Sequence, residues 1–558
     1  MTDPAPAPKR PQPLSPFLRG YGPLAVLLVA FVLMAAFVPT DAPQQLTVTT
    51  AGAGEVGGSA PGATAPGTSA AGGAPGATQP TTSVPGGGVP GAGGSTSGNG
   101  KPIAAPKGCN GPQVPGDPYS PPCVSFSGNN GGATTRGVTG STITIAYRIT
   151  SDPSFQQTLA EIGGAQFADT QADVNRTING LADYFNSHFQ FYGRKLKFVF
   201  YKGQGSQTNE LLGGGQQQAS DDALKVATSI KAFGDMSAVT EPYADSLSRD
   251  KVMNFGVPYM SKEWFAQRAP YSWSIATDCT GVSDAVAEVG VRELAGKKAV
   301  FAGPALASHT RTFATLAPDN PWYQECVANG ASIFKKAGDP APLNIPYQLN
   351  LATLANQADS IISKLKADNI TTVVCGCDPI IPVYLTQRAA EQDYYPEWSV
   401  VGVALTDEDI VGQLFDQSEW AHAFGVTYQG PTLPYQATLG YAAYKSAVPS
   451  SEPSTFVNLI YAQMYMLALG IQEAGPDLTP ASFEQGMRAY PGGTGEFGTW
   501  GFPPGNFTPT LDGAEIYWDP NKISVYNNRK GAYVFASKRY TLQAWPKGDF
   551  PHTPYKGK

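Results

Sequence analysis

Residues 142–148 read TITIAYR, and within sixty residues DVNRTINGLADYFNSHF (173–189) and KLKFVFY (195–201) follow. The first and third segments alternate β-branched or aromatic residues with others, the period-2 signature of a strand. The middle segment places Val174, Ile178, Leu181, Tyr184 and Phe185 on one helical face. Strand, helix, strand is the unit of a parallel sheet, because a parallel return needs a crossover that packs back on the sheet.

Working outward, the rhythm continues. Residues 216–231 read as a helix, and Met236–Val239 and Val257–Met260 as short buried strands. A second series opens with a helix at Thr280–Leu294 and a strand at Lys298–Ala302 (KAVFA). Helices at Trp322–Lys336, Leu354–Ala367 and Ile381–Glu391 then alternate with strands at Ile345–Leu349, Thr371–Cys375 and Ser399–Val403. Two series of similar length predict an α/β chain with two doubly wound, Rossmann-like lobes. In open α/β sheets ligands lie beyond the carboxyl ends of the strands, so two facing lobes would share one cleft.

The N-terminal hundred residues are of another kind. Leu24–Val38 is an unbroken apolar run preceded by Lys9, Arg10 and Arg19. That order predicts a signal anchor over 23–39, with 1–22 cytoplasmic and the rest outside the membrane. A cleaved signal peptide is the rival, with Thr40-Asp41-Ala42 as a poor cleavage site. No cysteine follows the run to carry a lipid. Residues 40–105 are rich in Gly, Ala, Pro, Ser and Thr and cannot bury enough apolar surface to offset ordering entropy. They are expected to be a disordered tether, with a reach of about 45 Å. The folded part would occupy 106–558.

The chain has 558 residues and a formal net charge of -7, which gives no basic field for nucleic acid. All six cysteines (Cys109, Cys123, Cys279, Cys326, Cys375, Cys377) lie beyond the tether, and an even count in an exported chain favours disulfides. Cys109 and Cys123 bracket a Pro/Gly-rich loop and are expected to pair. A bond across Gly376 between Cys375 and Cys377 is expected to strain the backbone, so at least one of them should pair with Cys279 or Cys326. None of the four histidines sits at metal-ligand spacing near them, and neither metal nor cofactor is expected. There is no G-x-S-x-G elbow, and Leu212-Gly213-Gly214-Gly215-Gln216 lacks the Lys-Ser/Thr of a phosphate loop. An extracellular hydrolase is therefore disfavoured. A structural or surface-interaction protein would fit the tether but has no need of a hinged cleft, whereas a cell-surface sensor would use one and stays the alternative to transport.

Several segments in this order resemble a known family. They are RGVTGSTITIAYRIT at the opening strand, INGLADYFN in the first helix, FGVPYMSKEW and GKKAVFAGP at the lobe change, and LIYAQMYMLALGIQEAGPDLTPASFEQGM near the end. Together they resemble the type I periplasmic binding proteins, specifically the LIV-type (branched-chain amino acid) substrate-binding proteins of ABC transporters. The resemblance implies a first lobe over about 136–276 and 431–520, a second over about 277–430 and 521–545, and a hinge between them. It implies capture of a small polar or amphipathic solute and its delivery to an ABC-type permease, without catalysis. By position the ligand would touch Thr150, Ser151, Thr240, Tyr243, Ser261, Trp264, Tyr323, Asp378, Thr406 and Asp407. Ser261 and Thr240 could instead cap helices.

The chain departs from that family where an amino acid would bind. Thr240-Glu241-Pro242-Tyr243 lacks the usual serine pair, and Pro242 removes a backbone donor. Ala404 stands where a carboxylate would hold the α-ammonium. Unless Asp378 or Asp407 substitutes, another solute is expected: an amide, a carboxylic acid or an aromatic compound stacked on Trp264 or Tyr243.

Overall fold

The structure, a computed structural model, describes residues 110–150, 152 and 169–556. The expected anchor, the tether, Cys109 and Ser151 lie outside the described residues. Thr142–Ile149 (β1) buries Ile143 and Ile145 as its alternation requires. A capping box between Thr170 and Asp173 starts Gln171–His188 (α1), whose buried stripe is Val174, Ile178, Leu181, Tyr184 and Phe185. Lys195–Lys202 (β2) pairs with β1, and Gln216–Lys225 (α2), Gly234–Asp235 (β3), Glu241–Arg249 (α3) and Met253–Asn254 (β4) complete the first series. The sheet order is β2-β1-β3-β4, and every pair is parallel.

The second series runs Cys279–Val289 (α4), Phe313–Pro318 (β5), Pro321–Ala337 (α5), Leu343–Tyr347 (β6), Leu354–Ala367 (α6), Thr372–Cys375 (β7), Ile381–Glu391 (α7), Glu397–Val400 (β8) and Ala423–Thr427 (β9). Leu439–Ala447 (α8), Val457–Ala474 (α9) and Pro480–Ala489 (α10) return to the first core, where Tyr461, Tyr465 and Phe483 pack with Phe185 and Trp273. A Cβ on Gly470 would lie 2.1 Å from the Phe483 ring, so only glycine lets α9 and α10 approach this closely. Asp512–Ile523 (β10) and Lys530–Phe535 (β11) then add an antiparallel edge to the second sheet, whose order is β11-β10-β9-β8-β7-β5-β6. The chain thus crosses between the two cores before α4, after β9 and before β10.

Side chains of the second sheet alternate between two faces. Ala314, Leu316, Val373, Trp398 and Ile516 meet α6 and α7 in one core. Phe313, Val374, Phe424, Val426 and Tyr517 lie on the opposite face, with Val282, Ala285 and Val289 of α4.

Three expected strands are placed differently. Lys298–Ala302 makes only a single bridge, from Lys298 to Thr310, and the second series opens with β5 instead. The KAVFA run docks across the sheet rather than joining it, with the Phe301 ring 4.9 Å from that of Phe424. The strands expected at Met236–Val239 and Val257–Met260 lie a few residues earlier, as β3 and β4. The apolar residues beyond them, Val239 and Pro258 among them, line a cavity rather than a sheet.

Candidate ligand-binding cleft

In both sheets the strand order reverses beside the first strand, at β2-β1-β3 and at β6-β5-β7. Such a switch point opens a crevice, because adjoining crossovers leave to opposite faces. The residues after those strands meet around one cavity of about 900 Å³. From the first sheet come Thr150, Ser237 and Gly256; from the second come Pro318, Cys377, Asp378 and Ala404. Bonds cross between the sides, among them Ala404 N–H donating to Tyr259 Oη (2.5 Å) and Asn320 Nδ2 donating to Leu211 O (2.7 Å).

Of the residues expected from sequence, Thr150, Thr240, Tyr323 and Asp378 line this cavity together. Thr240 does not cap α3 with its side chain; its hydroxyl donates to buried Glu210. Burial pushes the Tyr323 hydroxyl up to about 12. Asp378 is held by the Tyr347 hydroxyl (2.7 Å) and by the N–H groups of Ile380 and Ile381 (2.8 and 3.1 Å). Burial nevertheless raises its carboxyl above the ordinary range.

Five others lie elsewhere. Tyr243 is fully buried beneath the first lobe, where the Arg148 guanidinium stacks 3.6 Å from its ring centroid. Its hydroxyl bonds Asp235 (2.9 Å) and Tyr201 (2.7 Å), so its ring has no face for a solute. Trp264 donates to Glu241 (3.0 Å) and is covered by Arg268. Ser261 caps the short helix Lys262–Gln267. Neither Trp264 nor Tyr243 offers the expected stacking platform. Thr406 spends its hydroxyl on Val403 O (2.6 Å). Asp407 accepts from Thr427 (2.5 Å) beside a separate pocket of about 50 Å³, where burial raises its carboxyl to about 6.

The disulfide expectation is also corrected. Cys279 pairs with Cys326, joining α4 to α5, and Cys375 pairs with Cys377. The turn at Gly376 sets the Cys375 and Cys377 Cα atoms 5.0 Å apart, inside the usual range, so adjacency is no obstacle. Cys123 is disulfide-bonded, and its expected partner Cys109 lies outside the described residues.

Charge at the cavity is one-sided. Arg148 gives both terminal nitrogens to Glu210 (2.8 and 2.9 Å) and one to Asp222 (3.3 Å), so its charge is already matched. Asp152, Asp169 and Asp378 line the cavity, and among the described lining residues no other side chain is cationic. Asp152 accepts from Thr208 N–H (2.9 Å) and Asp169 from the Ser454 hydroxyl (2.8 Å), which orients both.

Reading the sequence misses a set of apolar lining residues: Val282 and Val286 of α4, Val327 and Ala331 of α5, and Val374 of β7. On α5, Val327, Ala331 and Phe334 fall at i, i+4 and i+7, which looks like any core stripe. Periodicity does not tell a face that buries protein from one that lines a cavity.

A two-lobed α/β fold with its cleft at paired switch points defines a class: proteins that close on a small molecule. The chain belongs to the periplasmic binding protein family, whose model matches residues 164–512. No curated protein matches the sequence. Among solved structures, an ABC transporter solute-binding protein from R. palustris, in complex with 4-hydroxybenzoate, is similar with a TM-score of 0.51 and 10% identity, covering 72% of this chain and 98% of that one. A solute-binding protein of an ABC transporter from Rhodopseudomonas palustris HaA2, in complex with p-hydroxybenzoic acid, gives a TM-score of 0.50 at 10% identity, with the same coverage. Both are binding proteins, and at this identity the likeness establishes the fold. Solute binding in the cleft is the role of the family.

Proposed function

We propose that this protein captures an amphipathic solute with an uncharged or cationic head and delivers it to an ABC-type permease without transforming it. The observation that carries the solute class is the cavity lining: apolar over most of its surface, with aspartates but, among the described residues, no unmatched cation at the mouth. A carboxylate there would lose water without gaining a counter-charge. The same argument disfavours free amino acids, whose carboxylate would find neither the serine pair nor a free guanidinium. Anchoring by residues 23–39 and a tether over 40–105 would hold the receptor near its permease outside the cytoplasm; the full protein should then stay with membranes through a salt wash.

Calorimetry with 4-hydroxybenzamide and 4-hydroxybenzoate compares the two heads on one body. The amide should bind at least tenfold tighter, and leucine, isoleucine and valine should show no tight binding. Equal or tighter binding of the benzoate, or micromolar affinity for any of the three amino acids, overturns this reading.

A further inference from the structure

The cavity does not end at the cleft. It runs back inside the second lobe, between the sheet and the two helices on one of its faces. Val282 and Val286 of α4 with Val327 and Ala331 of α5 form its roof, and Thr315 and Val374 its floor. Central strands covered by helices ordinarily bury both faces, yet Thr315 and Val374 are only half-buried while their neighbours Leu316 and Val373 are fully covered. The far end is closed where the Phe334 ring packs 5.3 Å from Phe313, at the start of β5. From there to Pro318 at the cleft the strand advances about 17 Å.

Protein interiors are close-packed, and voids larger than a water molecule are few. A blind apolar arm of this length is therefore a binding subsite and not a packing fault. Its roof is braced at the cleft end by the Cys279–Cys326 disulfide, which ties α4 to α5. We infer that the arm holds a single unbranched hydrocarbon chain whose polar head rests in the cleft, so that the solute is a monoalkyl or monoacyl amphiphile. This rests on the cleft reading above and adds the tail.

Binding of straight-chain primary amides, from butanamide to decanamide, tests it on the intact protein. Affinity should rise about fourfold for each added methylene, the transfer free energy of one buried CH₂, and then level once the arm is full. Ala331→Phe places a ring in the arm and should bring the levelling point several methylenes earlier. Should that variant fail to fold, Gly330→Leu serves, since a Cβ there meets no atom closer than 3.8 Å. Amides that bind with no dependence on chain length overturn the tail while leaving the cleft reading intact. Failure of every amide to bind, long and short, overturns both. A levelling point unmoved by either folded variant also overturns the tail.

Discussion

The second sheet is packed on one face and lined by a cavity on the other, although the same kind of helix covers both. On the packed face, the fourteen-residue α6 buries Leu354, Ala358, Ile361, Ile362 and Leu365. On the other, the seventeen-residue α5 buries only Cys326 and Phe334. Both helices have apolar stripes of helical period; they differ in what the stripe meets. Where α6 turns the bulky Ile361, Ile362 and Leu365 to the sheet, the central turns of α5 carry the smaller Val327, Gly330 and Ala331. Stability from side-chain packing should therefore be concentrated on the α6 side, and ligand affinity on the α5 side.

The sharpest way to break this contrast is through the two disulfides. Cys279–Cys326 spans 47 residues and braces the cavity side, whereas Cys375–Cys377 spans two and runs from the packed core at Cys375 to the cavity lining at Cys377. Loop-closure entropy makes the first worth about 4 kcal/mol and the second far less. Denaturant unfolding of Cys279→Ala/Cys326→Ala should show a loss near that size, with Cys375→Ala/Cys377→Ala much less affected. Equal losses would mean that the bond across the long loop constrains little, and that the roof is held by other contacts.

Next in size are single truncations on the two faces. Leu365→Ala, from a fully buried site, should cost about 3 kcal/mol. Val327→Ala, at a half-buried site on the cavity, should cost less than about 1 kcal/mol because few atoms pack against it. Thermal melts of both variants without ligand decide this. A Val327→Ala loss as large as that of Leu365→Ala would show that α5 packs as a core helix does.

That contrast also marks where the sequence is legible. The bounds of α6 and α7 agree with the expected ones, because their periodicity, helix length and flanking residues point the same way. At β3 and β4 the expected strands are displaced because apolar cavity-lining residues look like strand. Thr150, Thr240, Tyr323 and Asp378 can be placed at the cleft because switch-point geometry puts loop residues there. Tyr243 and Trp264 are not separable in this way: an aromatic packed against an arginine looks, in sequence, like one that faces a ligand. Pairing between Cys279 and Cys326 depends on α4 and α5 lying side by side, which no local pattern reveals.

A different test is a pH slope, and it comes from the filled end of the cavity-side face. There Glu293, just beyond α4, and Glu515 of β10 are both buried, side by side. Burial, then the neighbouring Glu515 carboxyl, raises Glu293 to about 9, and burial raises Glu515 as well. A carboxyl with a raised folded pKa is protonated in the native state but ionises on unfolding. Its contribution is complete below about 4.5, the ordinary value, and is lost as the pH rises through 9. Within that window one such group lowers stability by about 1.4 kcal/mol per pH unit. Unfolding midpoints measured from about pH 5 to about pH 8.5 should therefore fall, and Glu293→Gln, neutral at every pH, should flatten the slope by about one proton. An unchanged slope in Glu293→Gln would mean that water or a shift of β10 relieves the pair, and that this end of the face is less tightly filled than the packed one.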